Sequence, residues 1–232
     1  MAIEMMHVDG LVSGPLMSLL EAPSTTRPVS VPAGTTLDWR TQLPVLHGQG
    51  VHLRELRTSD ATSLFALLTT DKVSRFISPP PTTVDGFVRF IEWTQQRRAE
   101  GKHVCFAIMA DGCDTAVGLI QFHAVEGDFT VAEWGFALGS AWWGKGLFTE
   151  GAKLVLEFAF DHVGVRRMEA RAVTENGRGN GALRKLGAVR EAELRLSFAK
   201  GLRRHNQYLW SILAQDWRRA KVTWDGATTI SH

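Results

Sequence analysis

The sequence predicts an α+β domain, a mixed and mostly antiparallel sheet of about seven strands with helices on both faces. Three observations predict it. The runs 103–110, 115–125 and 130–138 are strand-like, and Asp111-Gly112 and Glu126-Gly127-Asp128 stand between them as turn signals, which makes an antiparallel meander. Helical periodicity lies before and after that meander, so the element order is βα αβββ αβα ββ. A doubly wound nucleotide fold would need strict βαβ alternation. The chain has 232 residues, 44% hydrophobic and 22% charged, which suits one globular domain with a sizeable core.

In chain order, residues 1–48 carry Pro15, Pro23, Pro28, Pro32 and Pro44 without sustained periodicity and read as an arm, extended or partly disordered. VHLRELR (51–57) is the first strand. Ser59 is read as the N-cap of a helix whose Leu64, Leu67 and Leu68 are helically spaced. Pro79-Pro80-Pro81 interrupts the chain, and Thr82 or Thr83 caps a helix to about Glu100 with Val84, Phe87, Val88 and Ile91 on one face. After the meander a helix is expected from about Lys145 to His162. Its polar stripe Glu150, Lys153, Glu157 and Asp161 has 3-4-4 spacing, with apolar residues filling the rest. RRMEARAV (166–173) is a further strand and GNGALRKLG (179–187) a short helix closing on Gly187, before two last strands end near Leu213. The expected domain spans 49–216, with 217–232 a C-terminal tail.

A net charge of +2 and the lack of any dense Lys/Arg run argue against a nucleic-acid partner. Cys105 and Cys113 are too few for a disulfide framework or a Cys-rich zinc site, and no pair of histidines has metal-ligand spacing. No run approaches membrane-spanning length, and LMSLL (16–20) is a poor signal segment. The expectation is a soluble, cytoplasmic protein without a metal or a membrane partner, monomeric or homodimeric.

The stretch GSAWWGKGLFTEG (139–151) almost completes the P-loop pattern, but Gly146 stands where the Mg²⁺-binding hydroxyl should follow Lys145. Its G-x-G at Gly144 and Gly146 lacks the third glycine of a dinucleotide fingerprint. A third reading takes the context: a strand with a central glycine leads into backbone N–H donors at the start of a long helix, which suits a pyrophosphate. On the strand itself, alternation puts Ala132, Trp134, Phe136 and Leu138 on one face and Val131, Glu133, Gly135 and Ala137 on the other. Glu133 thus stands beside two nearly bare positions. It reads either as a base beside a ligand or as a strand charge in an ion pair.

Four stretches together carry a family resemblance: HLRELRTSDATSLFALLT followed by VSRFI, EWGFALGSAWWGKGLFTEGAKLVLEFAF, NGRGNGALRKLGA (176–188) and NQYLWSIL. They resemble the GNAT (GCN5-related) N-acetyltransferase superfamily over about residues 50–215, and within it the RimJ/RimL branch of ribosomal-protein N-terminal acetyltransferases. The resemblance implies a GNAT fold that binds acetyl-CoA as co-substrate. It assigns pantetheine pairing to Phe136, Ala137 and Leu138, with a bulge at Gly135 splaying two strands. The pyrophosphate turn would be Gly144, Lys145, Gly146, Leu147, Phe148 and Thr149, with Trp143 bordering the groove. Asn176, Gly179 and Lys185 would face the cofactor from the second motif, where Asn176 would hydrogen-bond the pantetheine arm. Departures are Ala141 where Gln or Arg is common, Gly179 where the motif has Ser, and Arg184 and Ala188 where it has Glu and Phe.

The resemblance also implies chemistry. Glu133 would take the proton of the amine, since an ammonium cannot attack a thioester. Tyr208, the sole tyrosine, is read as core packing from its alternation with Trp210 and Ile212, and as the proton donor to the leaving thiolate by the resemblance. Cys105 lies mid-strand without a base partner, so no covalent enzyme intermediate is expected. The activity expected is direct transfer of an acyl group to a primary amine in a ternary complex, the amine being a protein N-terminus. A small-molecule amine (antibiotic or polyamine), succinyl-CoA as donor, and a non-catalytic acyl-CoA-binding module are the alternatives.

Overall fold

The computed structural model describes residues 38–226, so most of the proline-punctuated arm and the end of the tail lie outside the described residues. In chain order the elements are β1 (Leu46–Gly48), β2 (Val51–Glu55), α1 (Ala61–Leu68), α2 (Asp71–Ser74), α3 (Val84–Ala99), β3 (His103–Ala110), β4 (Gly118–Ala124) and β5 (Val131–Leu138). Then follow α4 (Leu147–Glu157), β6 (Arg167–Val173), α5 (Gly177–Lys185), β7 (Val189–Lys200), β8 (Arg203–Leu213) and α6 (Ala214–Gly226). The architecture is α+β, as the element order predicts. One eight-stranded sheet runs β1-β2-β3-β4-β5-β6-β8-β7, antiparallel throughout except between β5 and β6.

The strand beyond the expected seven is β1, paired with β2 through the turn at Gly50. With Trp39 and Leu43 buried ahead of it, the packed domain begins well before residue 49. The Trp39 ring meets Phe129 edge-on at 5.4 Å. So short a strand between Pro44 and Gly50 leaves no period-two pattern to read. Past Leu213, part of the expected tail is helix α6, which buries Trp217. The polar stripe on α4 and the π-turn after it is where α6 docks: Lys221 reaches Glu157 at 2.6 Å and Arg218 reaches Asp161 at 3.0 Å.

Helix α1 has Asp60 rather than Ser59 at its N-cap position. The Asp60 carboxylate accepts the Arg57 amide at 2.8 Å and is gripped by Arg54 at 2.7 and 2.8 Å. A carboxylate that meets a guanidinium is held more firmly there than a serine hydroxyl would be. Thr83 caps α3 as expected, its Oγ1 accepting from the Gly86 amide at 3.0 Å.

The two sheet faces are covered differently. On the face of Trp134 and Phe136, the ring of Phe148 from α4 lies 3.7 Å from that of Phe136. On the same face α5 is pinned by buried Asn180, which donates to Val173 O at 2.9 Å and accepts from Trp210 Nε1 at 2.9 Å. The other face takes α1 and α3, where Leu67 packs on Gly139 and Trp93 on His103. Edge strand β7 breaks register twice, and its Leu196 has φ 51°. Such irregularity guards an edge against pairing with another chain. Lys200 at its end donates to the carbonyls of Ser74 and Ile77, tying this hairpin to the segment after α2.

His103 is buried beside His123, with Nε2 3.3 Å from Gln121 Oε1, and burial together with the neighbouring His123 lowers its pKa to about 3. In the unfolded chain it titrates near pH 6.5. The folded value is depressed, so this contribution is fully present above pH 6.5 and is lost as pH falls from there toward 3. Stability from urea unfolding is expected to drop by up to about 1.4 kcal/mol per pH unit between pH 6.5 and 4.5. Glu191, held down to about 2 by Arg167 and then Ser211, acts below that window. In His103→Gln the slope between pH 6.5 and 4.5 should flatten. An unchanged slope would remove His103 as its source.

Candidate active site

The sheet opens at β5. Its parallel pairing with β6 consists of Val131↔Arg167, Ala132↔Met168 and Glu133↔Glu169, and beyond Glu133 the two strands part. Strand β6 instead stays with β8 as far as Val173↔Gln207. On the other side of β5, pairing with β4 continues unbroken through Gln121↔Gly135 to Gly118↔Leu138. Gly135 therefore carries no bulge, contrary to expectation. The splay comes from β6 following β8 and α5, and it leaves a strand edge facing a wedge inside the sheet. Such an edge is a template for an extended ligand.

The turn after β5 forms the second wall. Gly144 and Gly146 have φ of 77° and 83°, and a Cβ added at either meets nothing within 4 Å. Glycine is needed there for the left-handed dihedral rather than for packing, and the space beside it is open. The amides from Gly144 to Thr149 donate to no backbone carbonyl among the described residues, and Glu150 is the first to do so, on Gly146 O at 3.1 Å. No side chain caps α4. Uncapped amides with the positive end of the helix dipole make an anion site.

Helix α5 supplies the third wall. Asn176 is its N-cap, with Oδ1 accepting from the Gly179 amide at 2.9 Å, so only its NH₂ end is left for a ligand. A Cβ at Gly179 would stand 2.6 Å from Asn176 Nδ2, so a side chain there would require the Asn176 amide to shift. The fourth wall is α2 and the residues after it.

These walls enclose a cleft of about 920 Å³ whose charged lining residues are Lys72, Arg75, Arg178 and Lys185, with no carboxylate among them. Trp143 is fixed at its mouth, Nε1 donating to Leu138 O at 2.8 Å. Lys72 Nζ and Arg178 Cζ lie 5.4 and 4.3 Å from its ring centroid. The cleft suits an extended polyanion with an apolar end near Phe136 and Phe148.

Phe136, Ala137, Leu138, Trp143, Gly144, Gly146, Phe148, Thr149, Asn176, Gly179 and Lys185 line the cleft together. Lys145 and Leu147 do not: Lys145 is exposed with Nζ 4.8 Å over the Trp142 ring, and the Leu147 side chain is buried in the core. Sequence reasoning missed Lys72, Arg75 and Arg178. The first two stand on or beside a four-residue helix too short to show periodicity, while Arg178 was within reach inside the second motif.

Glu133 lies at the closed end of the wedge rather than in the cleft lining. Its Oε2 is 3.6 Å from Arg171 Nη1 and its side chain is 12% exposed, while His123 and Glu169 are its cross-strand partners. Tyr208 is displaced from this centre. It pairs with Ala172 and so projects to the face opposite Glu133, where it packs on the core with Arg190 4.6 Å from its ring. The two cannot flank one reacting group. Cys105 is buried, and burial pushes its thiol pKa well up, away from any nucleophilic role.

A family model for the acetyltransferase (GNAT) domain matches residues 51–189, more than half of the chain. The chain belongs to the GNAT acetyltransferase family. It is 26% identical over 177 residues to an uncharacterized N-acetyltransferase, p20, of Bacillus licheniformis, covering 75% of this chain and 99% of that one. Among solved structures, Mycobacterium smegmatis RimJ in complex with CoA-disulfide superposes with a TM-score of 0.65 at 22% identity, over 72% of this chain and 83% of that one. Ribosomal-protein-S5-alanine acetyltransferase of Vibrio fischeri gives 0.65 at 16%, over 75% and 98%. At such identities the likeness is one of fold. Among the described residues of this GNAT enzyme no helix is long and apolar enough to cross a membrane, and no cluster of His, Cys, Asp or Glu could hold a metal.

Proposed function

We propose that this enzyme transfers the acetyl group of acetyl-CoA to a primary amine, and that the amine is a protein N-terminus. The observation that carries the reading is the β5–β6 pairing that stops at Glu133 above a cleft with a wholly basic charged lining. The residues fit the co-substrate. Gly144–Thr149 amides would hold its pyrophosphate, Lys72, Arg75, Arg178 and Lys185 would neutralise phosphate charge, and the β5 edge would receive the pantetheine arm. Acetyl-CoA supplies an activated acyl thioester. Glu133 accepts the proton of the incoming ammonium, the step without which no lone pair is available. With Gly179 in the motif serine position and Tyr208 on the other face, the proposal assigns no side-chain acid to the departing thiolate. The RimJ complex and the family's acetyl-CoA chemistry support this reading, and a protein N-terminal acceptor follows the ribosomal-protein enzymes it resembles.

Thermal shifts with acetyl-CoA, succinyl-CoA and Mg-ATP, followed by thiol release with N-terminal peptides and small amines, test it. Stabilisation by acetyl-CoA and thiol release with peptides are expected. Stabilisation by Mg-ATP alone would overturn the reading, and CoA binding without thiol release for any amine would make the domain a binding module.

The turn gives a separate prediction. Gly146→Ala is expected to weaken acetyl-CoA roughly tenfold, because an alanine at that dihedral costs about 1–2 kcal/mol unless the amides rotate away. Gly50 has φ 75° and equally open surroundings, but lies in the β1–β2 turn. Gly50→Ala should thus carry the strain without the loss of affinity by calorimetry. Equal affinities for the two variants would separate the turn from binding.

A further inference from the structure

One cation stands where the sheet splits, outside the lining of the cofactor cleft. Arg171 is two residues beyond the last β5–β6 pair, Glu133↔Glu169, where β6 no longer pairs with β5 and is held through Leu209 of β8. By alternation from Glu169 its side chain shares the face of Glu133. It reaches back across the gap between the strands, with Nη1 3.6 Å from Glu133 Oε2. Gly135, the next residue of β5 on this face, brings no side chain into that space. At 3.6 Å the contact is an ion pair without a hydrogen bond. Arg171 Nε is moreover buried, with no hydrogen-bond partner among the described residues. Arg167 differs, since it is tied to Glu169 at 2.7 Å and to Glu191 at 2.9 Å, and Glu169 thereby has its own cation. The remaining titratable neighbours are His123 on β4, opposite Glu133, and His103 on β3, neutral above about pH 3, with Arg97 of α3 acting on it. A buried donor left unpaired costs stability and calls for a reason.

That reason is the negative charge that acyl transfer creates. Before reaction the Glu133 carboxylate balances the Arg171 guanidinium. Once Glu133 takes the proton of the ammonium it is neutral, and the guanidinium loses this counter-ion just as the thioester begins to carry charge. The amine nitrogen bonds to the thioester carbon, and the carbonyl pair moves onto oxygen. That pair returns as the C–S bond breaks, the bond's own pair leaves on sulfur, and the nitrogen's surplus proton goes to water. We propose that Arg171 is a catalytic residue whose guanidinium balances this charge, first on the oxyanion and then on the CoA thiolate, so that the thiolate departs without a proton donor. An arginine stays protonated, so it acts as a fixed charge rather than an acid. Its pull on the substrate grows only when Glu133 is protonated and the thioester is charged. Such an interaction is stronger in the transition state than in the ground state and therefore raises kcat. The proposal rests on the acetyl-CoA reading above, which brings the thioester to the closed end of the wedge.

The thiol of bound CoA reports this field directly. Its ionisation is followed by thiolate absorbance in complexes of the full chain, and the desulfo-CoA complex gives the baseline that subtracts Cys105 and Cys113. Glu133→Gln copies the protonated state of Glu133. In that variant the thiol is expected to ionise roughly one pH unit or more below its value in the double variant Glu133→Gln/Arg171→Met, because a nearby cation favours the thiolate. With Glu133 in place its carboxylate offsets the cation, so Arg171→Met alone should move the thiol less. Arg171→Met should also lower kcat roughly 10²-fold with the desulfo-CoA Kd unchanged, and Arg171→Lys, which keeps the charge, should recover part of that loss. If Arg171→Met does not fold, Arg171→Gln carries the same titration. A thiol that ionises at the same pH with and without Arg171 in the Glu133→Gln protein would overturn the proposal and leave Arg171 a counter-ion of Glu133. An unchanged kcat in Arg171→Met would overturn it too. Failure of both CoA and desulfo-CoA to bind would instead remove the acetyl-CoA reading and this one with it.

Discussion

Replacing Glu133 by Gln is expected to lower kcat at pH 7 by roughly 10²-fold or more while leaving acetyl-CoA affinity unchanged. The residue lies at the end of the β5–β6 pairing, outside the cleft lining, so binding has little to lose. The side chain is largely shielded, and the Arg171 guanidinium 3.6 Å away is a fitting neighbour for a carboxylate. The Gln side chain keeps the shape and removes the proton acceptor. The deficit should shrink as pH rises through the pKa of the acceptor amine, about 8 for an α-amine, because more acceptor then arrives already neutral. A pH profile of kcat/KM for both proteins reads this directly. A Glu133→Gln variant as fast as the wild type across that range would leave Glu133 a structural ion pair.

Arg54→Met is expected to destabilise the fold by about 3–5 kcal/mol, lowering Tm by on the order of 10 °C. Every N–H of the Arg54 guanidinium has an acceptor: Asp60 Oδ2 at 2.7 Å, Asp60 Oδ1 at 2.8 Å, Asp114 Oδ1 at 2.9 Å, Asp114 O at 2.9 Å and Glu55 O at 3.0 Å. Arg54 and Asp60 are only 5% and 4% exposed, so the variant strands the Asp60 carboxylate in a dry place. This network joins β2, the start of α1 and the β3–β4 turn. Adding Asp60→Leu should recover part of the loss, since an apolar pair avoids the stranded charge. Urea unfolding of the single and double variants measures both effects. A loss under about 1 kcal/mol for Arg54→Met would show that water reaches Asp60.

Much of the fold is legible in the sequence because its signals are local. The turn pairs Asp111-Gly112 and Glu126-Gly127-Asp128 do separate the meander strands, and Thr83 and Gly187 do bound their helices. The apolar face of Trp134 and Phe136 follows from alternation alone. Other features depend on distant partners, and no local pattern encodes those. The Asp60 carboxylate fixes the turn that leads into α1 because Arg54 and the Arg57 amide hold it, and Ser59 looks as good in isolation. Strand β1 exists because β2 offers an edge, and α6 because Glu157 and Asp161 meet Lys221 and Arg218. Of the site, the backbone elements are readable from the glycines of the 139–151 turn. The cationic residues on and beside α2 are not, since only the tertiary fold brings them to the cleft. Likeness to the family puts Tyr208 on the wrong face, while its own alternation with Trp210 points to packing.

The central claim is that the turn after β5 and the opened strand edge together hold coenzyme A. Amide hydrogen exchange with and without acetyl-CoA tests it most directly. The account predicts slower exchange on ligand addition for the Gly144–Thr149 amides and for the β5 segment Gly135–Leu138, none on adding Mg-ATP, and no change at the Gly50 turn. Tight acetyl-CoA binding with exchange in both segments unaltered would contradict it.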